Sequence, residues 1–143
     1  MKINKSPLIF VVILVILVIS SYIYLQKDIT LPRITVPYKD ITVQEAKAMI
    51  DNNEDVLILD VRTESEFAKG HLNGAINIPH FDIEERYKEL NIDKNKPIIT
   101  ICTMGGRSRL AAESLSKLEF TNVSNIVGGL NEWYKVYGES NYG

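Results

Sequence analysis

Between Ser6 and Gln26 no position carries a charge, and Leu8 to Ile19 is an unbroken run of Leu, Ile, Val and Phe. Leu8 to Leu25 is 18 residues, about 27 Å as a helix at about 1.5 Å per residue, close to the thickness of a bilayer's hydrocarbon core. The pattern predicts one transmembrane helix. Ser20 and Ser21 can bond back to the helix, and Tyr22 and Tyr24 suit an interface. A cleaved signal peptide has a shorter apolar core and a small-x-small cleavage site. Ser20-Ser21-Tyr22 matches that site poorly, and no cysteine follows to carry a lipid. The expectation is a short basic N-terminus over 1–7, an uncleaved anchor over 8–25, a linker over 26–40 holding Pro32 and Pro37, and a domain over 41–143. Lys2 and Lys5, with no acid nearby, favour a cytoplasmic N-terminus, which places the domain on the extracytoplasmic side of the cell membrane.

Beyond the linker the periodicity changes. Thr42-x-x-Glu45 is a capping box followed by Val43, Ala46, Met49 and Ile50 at helical spacing. Val56 to Val61 is a short apolar run suited to a strand buried on both faces. Thr63-x-x-Glu66 opens a short helix ending near Gly70, Ala75 to Ile78 reads as a strand closed by Pro79, and Asp82-x-x-Glu85 begins a third helix. Pro97 to Cys102 is a second fully apolar strand. A helix follows with Leu110, Ala111, Leu115 and Leu118 on one face, then a strand over Val123 to Val127. Leu130, Trp133, Tyr134 and Tyr137 mark a final amphipathic helix whose default role is core packing. Alternating short strands and helices predict an α/β fold with a central parallel sheet flanked by helices.

Charge narrows the function. The chain has 16 Lys and Arg against 18 Asp and Glu. Two of the basic residues precede Lys27, so the remainder holds 14 against 18, a difference of −4. Its cations are scattered, which gives no clustered basic face for nucleic acid. One cysteine forms no internal disulfide, and His71 and His80 lie outside any metal-ligand spacing, so no metal site is expected.

That cysteine ends the second apolar strand, and in parallel sheets ligands bind at the carboxyl ends of strands. The segment reads Cys102-Thr103-Met104-Gly105-Gly106-Arg107-Ser108. A thiolate is the nucleophilic form, and a helix N-terminus favours negative charge. Gly105 and Gly106 let successive N–H groups turn inward as an anion nest. Arg107 adds a positive charge, and Ser108 can cap the helix or donate to an anion. A lone cysteine at a strand end is ordinarily packing, but packing needs neither nest nor arginine.

The sequence closely resembles the rhodanese family over about residues 41 to 138. The resemblance rests on Asp60-Val61-Arg62, Glu66-Phe67, Gly70-His71, Gly74 to Pro79, the Cys102 to Ser108 loop, and Gly128-Gly129 followed by Trp133. It implies an α/β fold and a Cys102 persulfide, loaded by a small sulfur donor such as thiosulfate or a persulfide. The sulfur then passes to a thiol or cyanide, with no cofactor. Four residues separate Cys102 from Arg107, as in sulfurtransferases, whereas cysteine phosphatases carry a longer spacer. Thiosulfate-preferring members often have basic residues just after the cysteine, and Thr103 and Met104 stand there instead.

Asp60 and Arg62 follow the first buried strand and are candidate pocket borders; for Asp60 a loop-fixing ion pair is the favoured reading, and for Arg62 the two readings are even. His71 reads as structural, and Glu66 is explained by its capping box. Two functions are carried forward: a membrane-anchored sulfurtransferase with Cys102 as nucleophile, and a tethered rhodanese-fold binding or redox-sensing module without turnover.

Overall fold

The computed structural model describes residues 6–26, 38–52 and 55–138, in two compact units. The first contains α1 (Ser6–Gln26), a continuous helix of 21 residues. From Ile9 to Ile19 its large apolar side chains are exposed on every face. Among the described residues no helix is long and apolar enough to cross a membrane. The transmembrane helix expected over Leu8 to Leu25 is thus present as a helix but is not shown as a span. Most of the expected linker, residues 27–37, lies outside the described residues.

The second unit is a five-stranded, all-parallel sheet in the order β1-β5-β4-β2-β3. Its strands are β1 (Lys39–Ile41), β2 (Leu57–Asp60), β3 (Ile76–Asn77), β4 (Ile98–Ile101) and β5 (Val123–Ile126). The helices are α2 (Val43–Asp51), α3 (Glu64–Phe67), α4 (Ile83–Arg86) with a 3₁₀ turn at Tyr87–Leu90, α5 (Gly106–Lys117) and α6 (Gly129–Tyr137). β1 begins inside the segment expected to be linker. Lys-Asp-Ile shows no apolar run because it is an edge strand, with only Ile41 buried.

β4 is buried at all four positions, as an apolar run predicts for a central parallel strand. Its side chains feed two cores. Ile98 packs with Leu59, Ala111, Ala112 and Leu115 on the α5 side, while Ile99 and Ile101 pack with Ala46, Leu130 and Trp133 on the α2 and α6 side. Leu110 departs from expectation, being 47% exposed.

Both expected capping boxes form reciprocally, Thr42 with Glu45 and Thr63 with Glu66. Asp82 precedes α4 without a side-chain cap bond, its own backbone already being helical at φ −98°, ψ −4°.

Candidate active site at the end of the central strand

Cys102 leaves β4 at the carboxyl edge of the sheet and is 2% exposed. The loop then turns through Gly105, at φ +92°, into α5. Here glycine is required. A Cβ at that φ is strained, and it would sit 3.1 Å from the Gly128 N and 3.2 Å from the Ile126 O.

The loop lies flat on the start of α6. The Leu130 N–H donates to the Cys102 carbonyl at 2.8 Å, and the Asn131 N–H donates to the Thr103 carbonyl at 3.0 Å. Two carbonyls are thereby engaged by α6, and the Gly105 N–H donates to Sγ at 3.2 Å. Gly129 permits this approach, since a Cβ on it would fall 2.3 Å from the Cys102 carbonyl oxygen. The Gly128-Gly129 pair therefore does more than turn the chain into α6.

Ser108 is fully buried within the first turn of α5 and does not cap it; the cap position is Gly105. Its Oγ lies 3.5 Å from Sγ and 2.7 Å from Asn125 Oδ1. Asn125 is oriented by its Nδ2, which donates to Asp40 at 2.7 Å. A hydroxyl has one proton, and the shorter bond holds it on Asn125 while Cys102 is a thiol. Burial pushes the Cys102 thiol up. The Ser108 hydroxyl and the N–H groups of Ser108, Met104 and Gly105 outweigh that push and leave it below its ordinary value.

Arg107 does not stand as an isolated cation. Its Nη1 and Nη2 donate to the two Glu66 carboxylate oxygens at 2.7 and 2.8 Å, and Nη2 also donates to Thr103 Oγ1 at 3.0 Å. The Glu66 carboxyl is held far below the usual range, first by Arg107; desolvation opposes this, and the Thr63 cap adds to the lowering. Glu66 therefore does two jobs where its capping box had accounted for it alone. The pair closes over 41 residues of sequence, so no local pattern announces it.

Asp60 and Arg62 form the loop-fixing ion pair favoured for Asp60. Asp60 is fully buried and Arg62 is 6% exposed. Arg62 Nη2 donates to Asp60 at 2.6 Å and to the Gly70 carbonyl at 2.7 Å, which pins the loop after β2. His71 stacks on Phe67 at 3.7 Å and contacts its carbonyl, a structural placement. An open concavity of about 660 Å³ between Asp55 and Pro97 lies at the amino ends of β2 and β4, the opposite edge from Cys102.

With this geometry in place, comparison with known proteins is decisive. The family described as the rhodanese-like domain matches residues 42–136. The chain belongs to the rhodanese-like family. YrkF of Bacillus subtilis, which its name proposes to be a sulfur carrier, is 38% identical over 94 residues, covering 66% of this chain and 50% of that protein. This chain thus spans half of that relative's length. Thiosulfate sulfurtransferase 16 of Arabidopsis thaliana is 39% identical over 87 residues, covering 54% of this chain and 72% of that one. A solved rhodanese-related protein from Thermoplasma volcanium has a TM-score of 0.61 at 30% identity, over 70% of this chain and 94% of that one.

Within the rhodanese-like domain, then, the loop after Cys102 sets the Gly105 N–H and the Ser108 Oγ against Sγ, while Asp60 and Arg62 pair with each other. The sequence reading missed Asn125, Asp40 and the second role of Glu66. An Asn inside the strand expected over Val123 to Val127 was the available signal.

Proposed function

We propose that this chain is a sulfurtransferase that carries sulfur as a persulfide on Cys102. One observation carries the reading: a buried thiol, depressed below its ordinary value, receives an amide N–H from a loop whose carbonyls are engaged by α6. That arrangement stabilises a thiolate, or the terminal sulfur of a persulfide, through fixed donors.

The Cys102 thiolate attacks the outer sulfur of a donor. The Sγ–S bond forms, the donor's S–S bond breaks, and the donor remainder leaves with the electron pair. An acceptor thiolate or cyanide then attacks the outer sulfur, and the Cys102 thiolate is the leaving group. As the thiolate forms, Ser108 rotates its proton from Asn125 toward Sγ.

Attachment to a membrane through α1 is part of the same proposal, with the domain on the extracytoplasmic side. Its support is a continuous charge-free helix with apolar side chains exposed all round.

The test is direct loading. The chain is incubated with thiosulfate or an alkyl persulfide, and the peptide containing Cys102 is weighed. A gain of one sulfur, transferred on to added thiol and absent in Cys102→Ser, is expected. Failure of every donor to load Cys102 would sink the reading. Loading that never passes to an acceptor would favour the tethered sensing module instead.

A further inference from the structure

Sulfur transfer charges Cys102 Sγ twice, once as the attacking thiolate and once as the leaving one. Each time the Ser108 hydroxyl, 3.5 Å away, is in place to donate to it. The position of that hydroxyl is fixed. Ser108 is fully buried, and its carbonyl accepts from Thr100 Oγ1 at 3.1 Å. What remains free is the direction of its single proton. Besides Sγ, two acceptors compete for it, Asn125 Oδ1 at 2.7 Å and the Gly105 carbonyl at 3.1 Å. The Gly105 carbonyl already takes the Arg109 N–H, and Asn125 is the closer.

Which end of the Asn125 amide faces Ser108 is decided on the far side of β5. Asp40 and Asn125 are register partners across the parallel pair β1 and β5, and Asp40 accepts from Asn125 Nδ2 at 2.7 Å. A carboxylate only accepts, so the amide nitrogen must face Asp40 and the amide oxygen must face Ser108. Asn125 is 3% exposed, whereas Asp40 stands at the surface. With its proton on Asn125, the Ser108 oxygen turns a lone pair to Sγ. That suits a thiol S–H and opposes a thiolate.

We propose that Asn125, oriented by Asp40, is a positioning residue for sulfur transfer: it holds the Ser108 proton away from Sγ, so that each Cys102 thiolate, attacking or leaving, forms against that bond. This deepens the sulfurtransferase reading and rests on it. The other charges facing the thiol and Asp40 are themselves paired. Arg107, which also interacts with Cys102, pairs with Glu66, and Arg109, which is attracted by Asp40, pairs with Glu113. On α6, Glu132 pairs with Lys135. Removing Asn125 leaves all of these in place and changes the destination of one proton.

The full chain is alkylated with iodoacetamide across a range of pH, and the midpoint of the rate is read. Asn125→Leu keeps a branched side chain without the acceptor and frees the Ser108 proton for Sγ. Its midpoint should fall by about one unit, roughly tenfold more thiolate at a pH below both midpoints. A merely structural role would change the limiting rate, or raise the midpoint through lost donors, and would not lower it. Asp40→Asn, a surface change, decides the matter if Asn125→Leu does not fold. A side chain that both donates and accepts no longer dictates how Asn125 faces, so this midpoint should fall too. The fall should persist at about 1 M salt, where the loss of an exposed charge is screened beyond about 3 Å. An unmoved or raised midpoint in a folded Asn125→Leu overturns the proposal, as does a fall in Asp40→Asn that vanishes in high salt. Sulfur loading of the unaltered chain is followed in parallel. If no donor loads Cys102, the sulfurtransferase reading fails and takes this inference with it, whatever the midpoints.

Discussion

Cys102 combines two opposed influences that a residue alone would not reveal. Burial raises a thiol, and here the donors from Ser108, Met104 and Gly105 reverse the direction. The sign has a measurable consequence. A lowered value means that thiolate persists below the ordinary cysteine range, so alkylation by iodoacetamide should fall only as pH drops through that lowered value. Its midpoint should lie below that of a free cysteine, about 8.5. Ser108→Ala removes a donor to the charged form and should move the midpoint upward. An unmoved midpoint would mean that Ser108 serves Asn125 alone.

At this scale much was legible in the chain. The spacing of Cys102, the two glycines and Arg107 described an anion cup, and the Gly105 N–H and Ser108 Oγ lie against Sγ. Arg107 as an unopposed cation was not legible correctly. Its partner Glu66 lies on another element, and a capping box had already given that carboxylate an adequate purpose. For Asp60 and Arg62 the pocket-border reading rested on position alone, and the loop-fixing pair is what forms. Proximity to the sheet's carboxyl edge is a property of sequence position, whereas the direction of a side chain is a property of packing.

Between elements, the site depends on how α6 meets the loop. The start of α6 supplies N–H groups to the Cys102 and Thr103 carbonyls, and Gly129, at φ +58°, is the point of closest approach. Gly129→Ala would place a methyl group within contact distance of three backbone atoms and strain the positive φ as well. A loss of roughly 2–4 kcal/mol is expected from overpacking and left-handed strain together, read from urea unfolding. Sulfur loading should fall along with it. A stable variant with normal loading would show that the loop relaxes away from α6 without consequence.

The elements themselves follow familiar rules. Apolar runs became β2 and β4, two Thr-x-x-Glu boxes opened α2 and α3, and Leu130, Trp133, Tyr134 and Tyr137 faced the core from α6 or its edge. β1 escaped because an edge strand of three residues, two of them exposed, has no hydrophobic pattern to recognise.

At the scale of the whole molecule, the proposed attachment through α1 carries its own prediction. The proposed attachment rests on the stretch Ile9 to Ile19 of α1, whose exposed apolar side chains water does not stabilise. The full chain is therefore expected in the membrane fraction, resisting extraction by high salt and released by detergent. Removal of residues 1–26 should leave the domain soluble. Extraction of the full chain by salt alone would refute anchoring through α1.

The amino-acid sequence by itself determined the class of the fold, the elements and the location of the thiol cup. These depend on local periodicity, capping and loop composition, all carried by residues close together in the chain. Only the tertiary structure decided how that cup is charged and held. The Glu66–Arg107 pair spans 41 residues and the Asn125–Asp40 contact spans 85. The seat of the loop on Gly129 likewise joins segments that meet only when the sheet closes. Such contacts are set by where the backbone brings distant side chains together, and no local pattern encodes that.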